Sequence, residues 1–307
     1  MHSKISLIVP FYNEEASVDS FFSKVIPILV STNRQYEIVC VNDGSKDDTL
    51  QKLIDQKSLC PQIVIVDFSR NFGKEAALAA GLDFATGDCV IPIDCDLQDP
   101  PELIIDMLKK WDDGFDVVLA RRCNRSTDGI IKRGTSSCFY KISKFIMSID
   151  MPENVGDFRL LDRKVVDELK KFTERTRFMK GLFAYAGFRS AYIDYSRPER
   201  AQGTTKWNYW KLWNYAIDGI TSFSTVPLRM MSYLGLLITF FSFLFGLRII
   251  INILIQGIDV PGYASTIVAV LFLGGVQLIG LGIIGEYIGR IYIETKKRPI
   301  YIVRSVL

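Results

Sequence analysis

Two long runs near the C-terminal end of this 307-residue chain are free of charge, and they restrict what the chain can become. Met230 to Leu247 carries no charged residue, Arg248 interrupts, and the uncharged pattern resumes until Asp259; Val260 to Gly285 is the second run. At 1.5 Å per helical residue, each can cross a hydrocarbon core of about 30 Å. A helix buried in a soluble domain keeps a polar face, and neither run supplies one. The expectation is a pair of transmembrane helices within residues 230–289, with the chemistry carried by the more polar residues ahead of them.

Basic residues set the expected orientation. Lys206, Lys211 and Arg229 precede the first run, Arg290, Lys296, Lys297, Arg298 and Arg304 follow the second, and the connecting "QGIDVPGY" has only Asp259. The positive-inside rule then places both ends in the cytoplasm, with a short loop outside. Arg248 and Glu286, at the edges of the runs, read as interfacial anchors. The opening "MHSKISLIVPFYNEE" turns polar after one short strand and does not read as a signal peptide.

At 49% hydrophobic and a formal charge of +3 the chain has ample core, and nucleic acid is not expected as a partner, because the strand ends mix acids with bases where a DNA backbone favours an almost purely basic face. The six cysteines form no CxxC pair, which points away from zinc and from a disulfide framework and suits a reducing compartment. His2 is the only histidine and sits at the terminus, so histidine triads and histidine metal sites are excluded.

Over the first 160 residues, β-branched runs alternate with helical patterns. "KISLIVP", "YEIVCVN", "QIVIVDF", "CVIPID" and "DVVLA" read as strands, with helices near 16–30, 47–58, 73–85 and 101–112. This alternation predicts an α/β fold with a mostly parallel, Rossmann-like sheet. Ligands bind such sheets outside the carboxyl ends of the strands. The polar residues there are Tyr12, Asn13 and Glu14, then Asp43, Gly44 and Ser45, then Arg70, then Asp94 and Asp96, then Arg121 and Arg122. Acids and bases at one edge suit a metal-bound diphosphate. No Walker A loop or GxGxxG is present.

The stretch "IDCDLQD" carries the metal reading. Period-2 alternation puts Asp94 and Asp96 on one face, and two hard carboxylates with open coordination positions suit Mg²⁺ or Mn²⁺ bridging to phosphates, with Gln98 adding a carbonyl oxygen. A solvated acidic turn is the competing reading of a DxD by itself. Asp99, followed by Pro100, reads as a helix N-cap.

Taken in order, "IVPFYNEE", "VNDGSKDDT", "RNFGKEAAL" and "DCDLQDPPE", followed by two C-terminal spans, resemble the family-two glycosyltransferases of A-type fold. Within that family the resemblance is to the polyprenyl-phosphate branch, that of the bactoprenol glucosyltransferases and dolichyl-phosphate mannose synthases. It implies that Pro10, Tyr12, Glu14 and Asp43 line a nucleotide pocket with Arg70, Lys74 and Arg200 nearby. Asp94, Asp96 and Gln98 would hold Mg²⁺ or Mn²⁺ against the donor diphosphate, and Asp157 would be an acid near the sugar. For the acceptor phosphate, Arg122, Arg133 and Ser137 are the implied residues, with Arg121 and Lys132 as further candidates. Helix capping stays open for Glu14, and a turn role stays open for Asp43 and Asp157.

The resemblance also implies the reaction: inverting transfer of glucose from UDP-glucose to undecaprenyl phosphate at a bacterial inner membrane, for O-antigen, lipopolysaccharide or other surface glycan modification. Another sugar, or a silent nucleotide-sugar binder, is the alternative. No QxxRW element is present, which argues against polymer synthesis. A homo-oligomer, a tetramer in the family, is implied, as are a downstream flippase and a glycan-specific transferase. The expected organisation is a catalytic domain over 1–204, interfacial amphipathic helices over 205–229 bearing Trp207, Trp210 and Trp213, the two spans over 230–289, and a basic tail over 290–307. On this reading a chain ended near Val226 keeps its sheet and core.

Overall fold

The computed structural model describes residues 3–123, 152, 154–175, 177–196, 221–256 and 262–307. Eight strands form one sheet: β1 (Ile5–Phe11), β2 (Tyr36–Asn42), β3 (Ile63–Phe68), β4 (Cys89–Pro92), β5 (Val117–Arg122), β6 (Val155–Asp162), β7 (Ser190–Tyr195) and β8 (Val303–Val306). Their order across the sheet is β7-β5-β6-β4-β1-β2-β3-β8. β1 runs parallel to β2 and β4, β2 to β3, and β5 to β7; β6 is antiparallel to β4 and β5, and β8 to β3. The mostly parallel α/β sheet expected from the alternation is present, and the carboxyl ends of β1–β5 and β7 share one edge.

The helices are α1 (Val18–Ser31), α2 (Thr49–Leu59), α3 (Lys74–Phe84), α4 (Leu103–Asp112), α5 (Arg163–Lys170), α6 (Met179–Tyr185), α7 (Val226–Gln256) and α8 (Tyr263–Thr295). Phe21, Phe22, Val25 and Leu29 of α1, at helical spacing, cover one face of the sheet with Ile104 and Met107 of α4. Each such side chain contributes about 1.5–3 kcal/mol relative to exposure. The other face is covered by Leu78 and Leu82 of α3, Val165 and Val166 of α5, and Met179 and Leu182 of α6. Small residues let α3 lie close to the sheet: a Cβ on Gly81 would run into the Ile8 side chain. That close seat aims the first residue of α3, Lys74, at the active edge.

β8 was not legible as a strand in the expected tail. After α8 the chain returns to the sheet, and Ile300, Tyr301 and Val303 pack against the cluster containing Val66, Phe68, Ala76 and Ala80. Tyr301 stacks on Phe68 with ring centroids 5.1 Å apart. The expectation that sheet and core are complete before Val226 is therefore corrected: ending there would remove an edge strand and uncover Phe68.

α7 and α8 hold 31 and 33 residues. Both are long and apolar enough to cross a membrane, over Val226–Ile249 and Val268–Thr295 with mean hydropathies of 1.9 and 2.2. Leu236, Phe243 and Leu278 are 72%, 68% and 70% exposed, so these helices do not serve as the core of the soluble domain. The base of the hairpin is tied to the residues around it. Tyr287 Oη donates to the Ser224 carbonyl at 2.6 Å, Arg175 Nη1 lies 3.6 Å from Glu294 Oε2, and Arg175 Nε donates to the Arg298 carbonyl at 2.7 Å. Glu286 is paired with Arg290 at 3.2 Å. Lys206, Lys211, the tryptophans at 207, 210 and 213, and Asp259 lie outside the described residues.

Candidate active site

One half of the edge is built from two loops stitched together. Asp43, buried just past β2, accepts from Phe72 N at 2.6 Å, Gly73 N at 2.9 Å and Asn71 Nδ2 at 2.9 Å. Burial pushes its carboxyl up, against the pull of those two amides and of Arg70. Gly44 makes the close approach possible: it has φ +63°, and a Cβ would lie 2.6 Å from Asn71 N. The Asp43 side chain thus ties two loops together rather than closing its own turn, where Ser45 N donates to Asn42 Oδ1 at 3.4 Å; Arg70 on the tied loop lies exposed over the Phe72 ring at 4.2 Å.

Pro10 sits at the end of β1 opposite Val41, and Tyr12 is exposed beyond it. Asn13, in the left-handed region at φ +51°, turns the chain so that Lys46 N donates to its Oδ1 at 2.8 Å. Glu14 accepts from Ser17 Oγ at 3.0 Å, and its backbone N–H donates to Thr49 Oγ1 at 2.9 Å. The capping role left open for its side chain is not filled, since α1 begins behind Ser17 with no side-chain cap bond and the Glu14 carboxylate takes the Ser17 hydroxyl there.

β4 ends at Pro92, before the acidic stretch, so strand alternation does not govern Asp94 and Asp96. Leu97 is in the left-handed region at φ +54°, a conformation that strains a residue with a Cβ, and the chain turns there. Asp94 turns toward Lys74, whose Nζ lies 2.7 Å from Oδ1 and 2.9 Å from Oδ2. Asp96 Oδ1 accepts from Gln98 N at 3.1 Å, and Gln98 is buried. The same Lys74 Nζ lies 2.8 Å from Asp157 Oδ2 on β6.

These charges decide one another's protonation. Burial, with repulsion from Asp157 and Asp96, pushes the Asp94 carboxyl up despite Lys74. Burial also works to raise Asp157, but Lys74 and Lys180 outweigh it and hold that carboxyl well below the usual range. Lys74 keeps its proton, since the two carboxylates overcome its own desolvation. Lys74 and Lys180 thus favour the charged form of Asp157.

The other half of the edge lies at the ends of β5 and β7. Arg121 pairs with Asp194 at 2.6 Å and covers the Tyr192 ring. Arg122 Nε donates to Tyr195 Oη at 3.0 Å, its Nη2 lies 3.4 Å from Asp99 Oδ1, and Tyr195 Oη donates to the same oxygen at 2.5 Å. The N-cap reading of Asp99 is corrected: α4 begins at Leu103 behind Glu102, and Asp99 is buried, holding Arg122 and Tyr195 in place. Asp157 lies within β6 rather than in the turn left open for it, and Arg159, buried on the same strand, donates to the Gly156 carbonyl at 2.5 Å beside it. Arg159 stood beside Asp157 in "NVGDFRLLDR", whereas Tyr195 did not stand out in the sequence, because it acts by holding other residues. Lys132, Arg133, Ser137 and Arg200 lie outside the described residues.

Whether these residues suit a divalent ion can be judged from the charges. Lys74 bridges Asp94 and Asp157, Lys180 adds positive charge toward Asp157, and Asp96 adds negative charge beside Asp94, whose carboxyl is raised chiefly by burial. Among the described residues no three His, Cys, Asp or Glu side chains close into a metal cage. Asp94 and Asp96 supply hard carboxylate oxygens of the kind a divalent ion takes.

Comparison with known proteins agrees with this geometry. Residues 6–170 match Glycosyl transferase family 2, and residues 226–291 match the GtrB C-terminal hairpin. An uncharacterized glycosyltransferase of Synechocystis is 53% identical over 100% of this chain and 96% of its own. A prophage bactoprenol glucosyl transferase homolog of Escherichia coli is 51% identical over 99% of both chains. The bactoprenol glucosyl transferase of Shigella phage SfV is 52% identical over 98% of both. The match spans sheet, acidic turn and hairpin alike, and the chain belongs to glycosyl transferase family 2.

Proposed function

We propose that this protein transfers glucose, with inversion, from UDP-glucose to undecaprenyl phosphate at the cytoplasmic face of a bacterial inner membrane. The observation that carries the reading is identity of 51–52% to bactoprenol glucosyl transferases through both the catalytic domain and the hairpin. The product, undecaprenyl-phosphate glucose, would serve O-antigen or other surface glycan modification.

Asp94, Asp96 and Gln98 would hold Mg²⁺ or Mn²⁺, which when bound neutralises the donor diphosphate and the departing UDP. The remaining work falls to the chain's own side chains. Tyr12 offers a ring face to the base, the loop fixed by Asp43 borders the nucleotide, and Arg70 and Lys74 face the phosphates. Asp157, anionic and held by Lys74, orients a sugar hydroxyl. Arg122, steadied by Asp99 and Tyr195, attracts the acceptor phosphate together with Arg133 and Ser137. No general base is required, because a phosphate monoester with a second pKa of about 6 is already anionic near neutrality. Catalysis then rests on placement and on charge stabilisation at the leaving group.

The two apolar helices would span the membrane with both ends cytoplasmic, bringing the site to an acceptor confined to the bilayer. The experiment is incubation of the purified protein with undecaprenyl phosphate and a panel of labelled nucleotide sugars, scoring label in the lipid phase. Label from UDP-glucose supports the reading; label from a different donor alone replaces glucose with that sugar.

A further inference from the structure

The chain returns from α8 to the sheet at the carboxyl edge, because β8 is antiparallel to β3 and its first residue, Val303, pairs with Phe68. It brings Arg304 with it. Asp67, the residue before Phe68, is 1% exposed, and a buried carboxylate needs partners for both oxygens. Oδ1 accepts from Asn42 Nδ2 at 2.7 Å, while Oδ2 lies 3.4 Å from Arg304 Nη1. The other arm of the guanidinium, Nη2, donates to the Ser69 carbonyl at 2.9 Å, and the Ser69 N–H donates to the Ile302 carbonyl at 3.0 Å. Both backbone polar groups of Ser69 are thereby held by the returning tail.

Asn42 ends β2 immediately before Asp43, and Ser69 follows β3 immediately before Arg70, at the bases of the two loops that Asp43 stitches together. We propose that Arg304 is a positioning residue for the donor nucleotide: its two-armed grip on Asp67 and Ser69 fixes the end of β3 and the start of the loop that carries Arg70, and through the Asp67–Asn42 bond the end of β2 from which Asp43 reaches that loop. The grip is separable from the packing of β8. The Arg304 side chain is 59% exposed and adds nothing to the core, whereas Tyr301 and Val303 seat the strand. The segment emerging from the membrane hairpin therefore helps define the nucleotide half of the site. This rests on the reading of that half as a nucleotide-sugar site.

The test uses the full-length protein in lipid vesicles, with UDP binding followed by calorimetry and with donor and acceptor KM measured separately. Arg304→Met should weaken UDP binding and raise the donor KM about 5- to 10-fold, the weight of one net hydrogen bond. Acceptor KM and kcat should change less than about 2-fold. Arg304→Lys should recover part of the loss, since it keeps the charge on Asp67 and loses the fork. In an Asp67→Asn background, Arg304→Met should add little, because the two act through one contact. Wild-type UDP affinity in Arg304→Met, or an equal rise in both KM values, overturns the inference while leaving the donor-site reading standing. Failure of the unaltered protein to bind UDP overturns both.

Discussion

Lys74 Nζ lies 2.8 Å from Asp157 Oδ2, and the same ammonium reaches both oxygens of Asp94. One cation from the start of α3 thus joins the acidic turn after β4 to the strand that presents Asp157. Lys74→Met should leave three carboxylates crowded together without it. Transfer is expected to fall about 100-fold, the scale of losing one charged group at a reacting centre, with a smaller change in UDP affinity. Turnover measured beside UDP binding checks this.

Asp96→Asn should leave folding intact, because Asp96 is exposed and its one described hydrogen bond, from Gln98 N, survives in the amide. Divalent binding should weaken and transfer should fall at least about 100-fold. Manganese titration followed by electron paramagnetic resonance, alongside a melting curve, separates loss of the ion from loss of the fold.

Tyr195→Phe removes the hydroxyl that joins Asp99 to Arg122. The expected cost is about 1–2 kcal/mol of stability, since the buried Asp99 loses a donor. Arg122 also loses a partner, so the KM for undecaprenyl phosphate should rise more than the KM for UDP-glucose. Chemical denaturation and paired kinetics test the two halves of this statement.

Glu75 gives a pH signature. Burial, reinforced by the charge of Asp157, pushes its carboxyl from 4.5 up to about 7, while Met179 N donates to Oε2 at 3.0 Å. A carboxyl raised on folding stabilises the native state below its unfolded value and loses that contribution as pH climbs through the folded one. Thermal stability should therefore decline between pH 4.5 and about 7, and Glu75→Gln should flatten that decline. Melting temperatures across this range decide it.

The sheet and its helices were legible because β-branched runs and polar strand ends are local signals: α1 to α4 fall within a few residues of the helical patterns. The acidic turn was legible as chemistry, yet its geometry was not, because alternation was carried past Pro92 into a turn that only Leu97's left-handed backbone reveals. Asp99 was misread since a capping motif looks the same whether or not the helix starts there. β8 was missed because "YIVRSVL" follows a basic run and depends on an edge 235 residues away, between Ser69 and Arg304. Pairings of that range leave no local mark.

The most direct measurement of the central claim is transfer of label from UDP-[¹⁴C]glucose into extractable lipid by purified full-length protein supplied with undecaprenyl phosphate and Mg²⁺ or Mn²⁺. The account predicts a single glucosylated lipid, abolished by chelation and by Asp96→Asn, and its release as β-glucose phosphate on mild cleavage. Lipid labelling that persists undiminished in Asp96→Asn with chelator, or an unaltered protein that binds UDP yet labels no lipid from any nucleotide sugar, would contradict it.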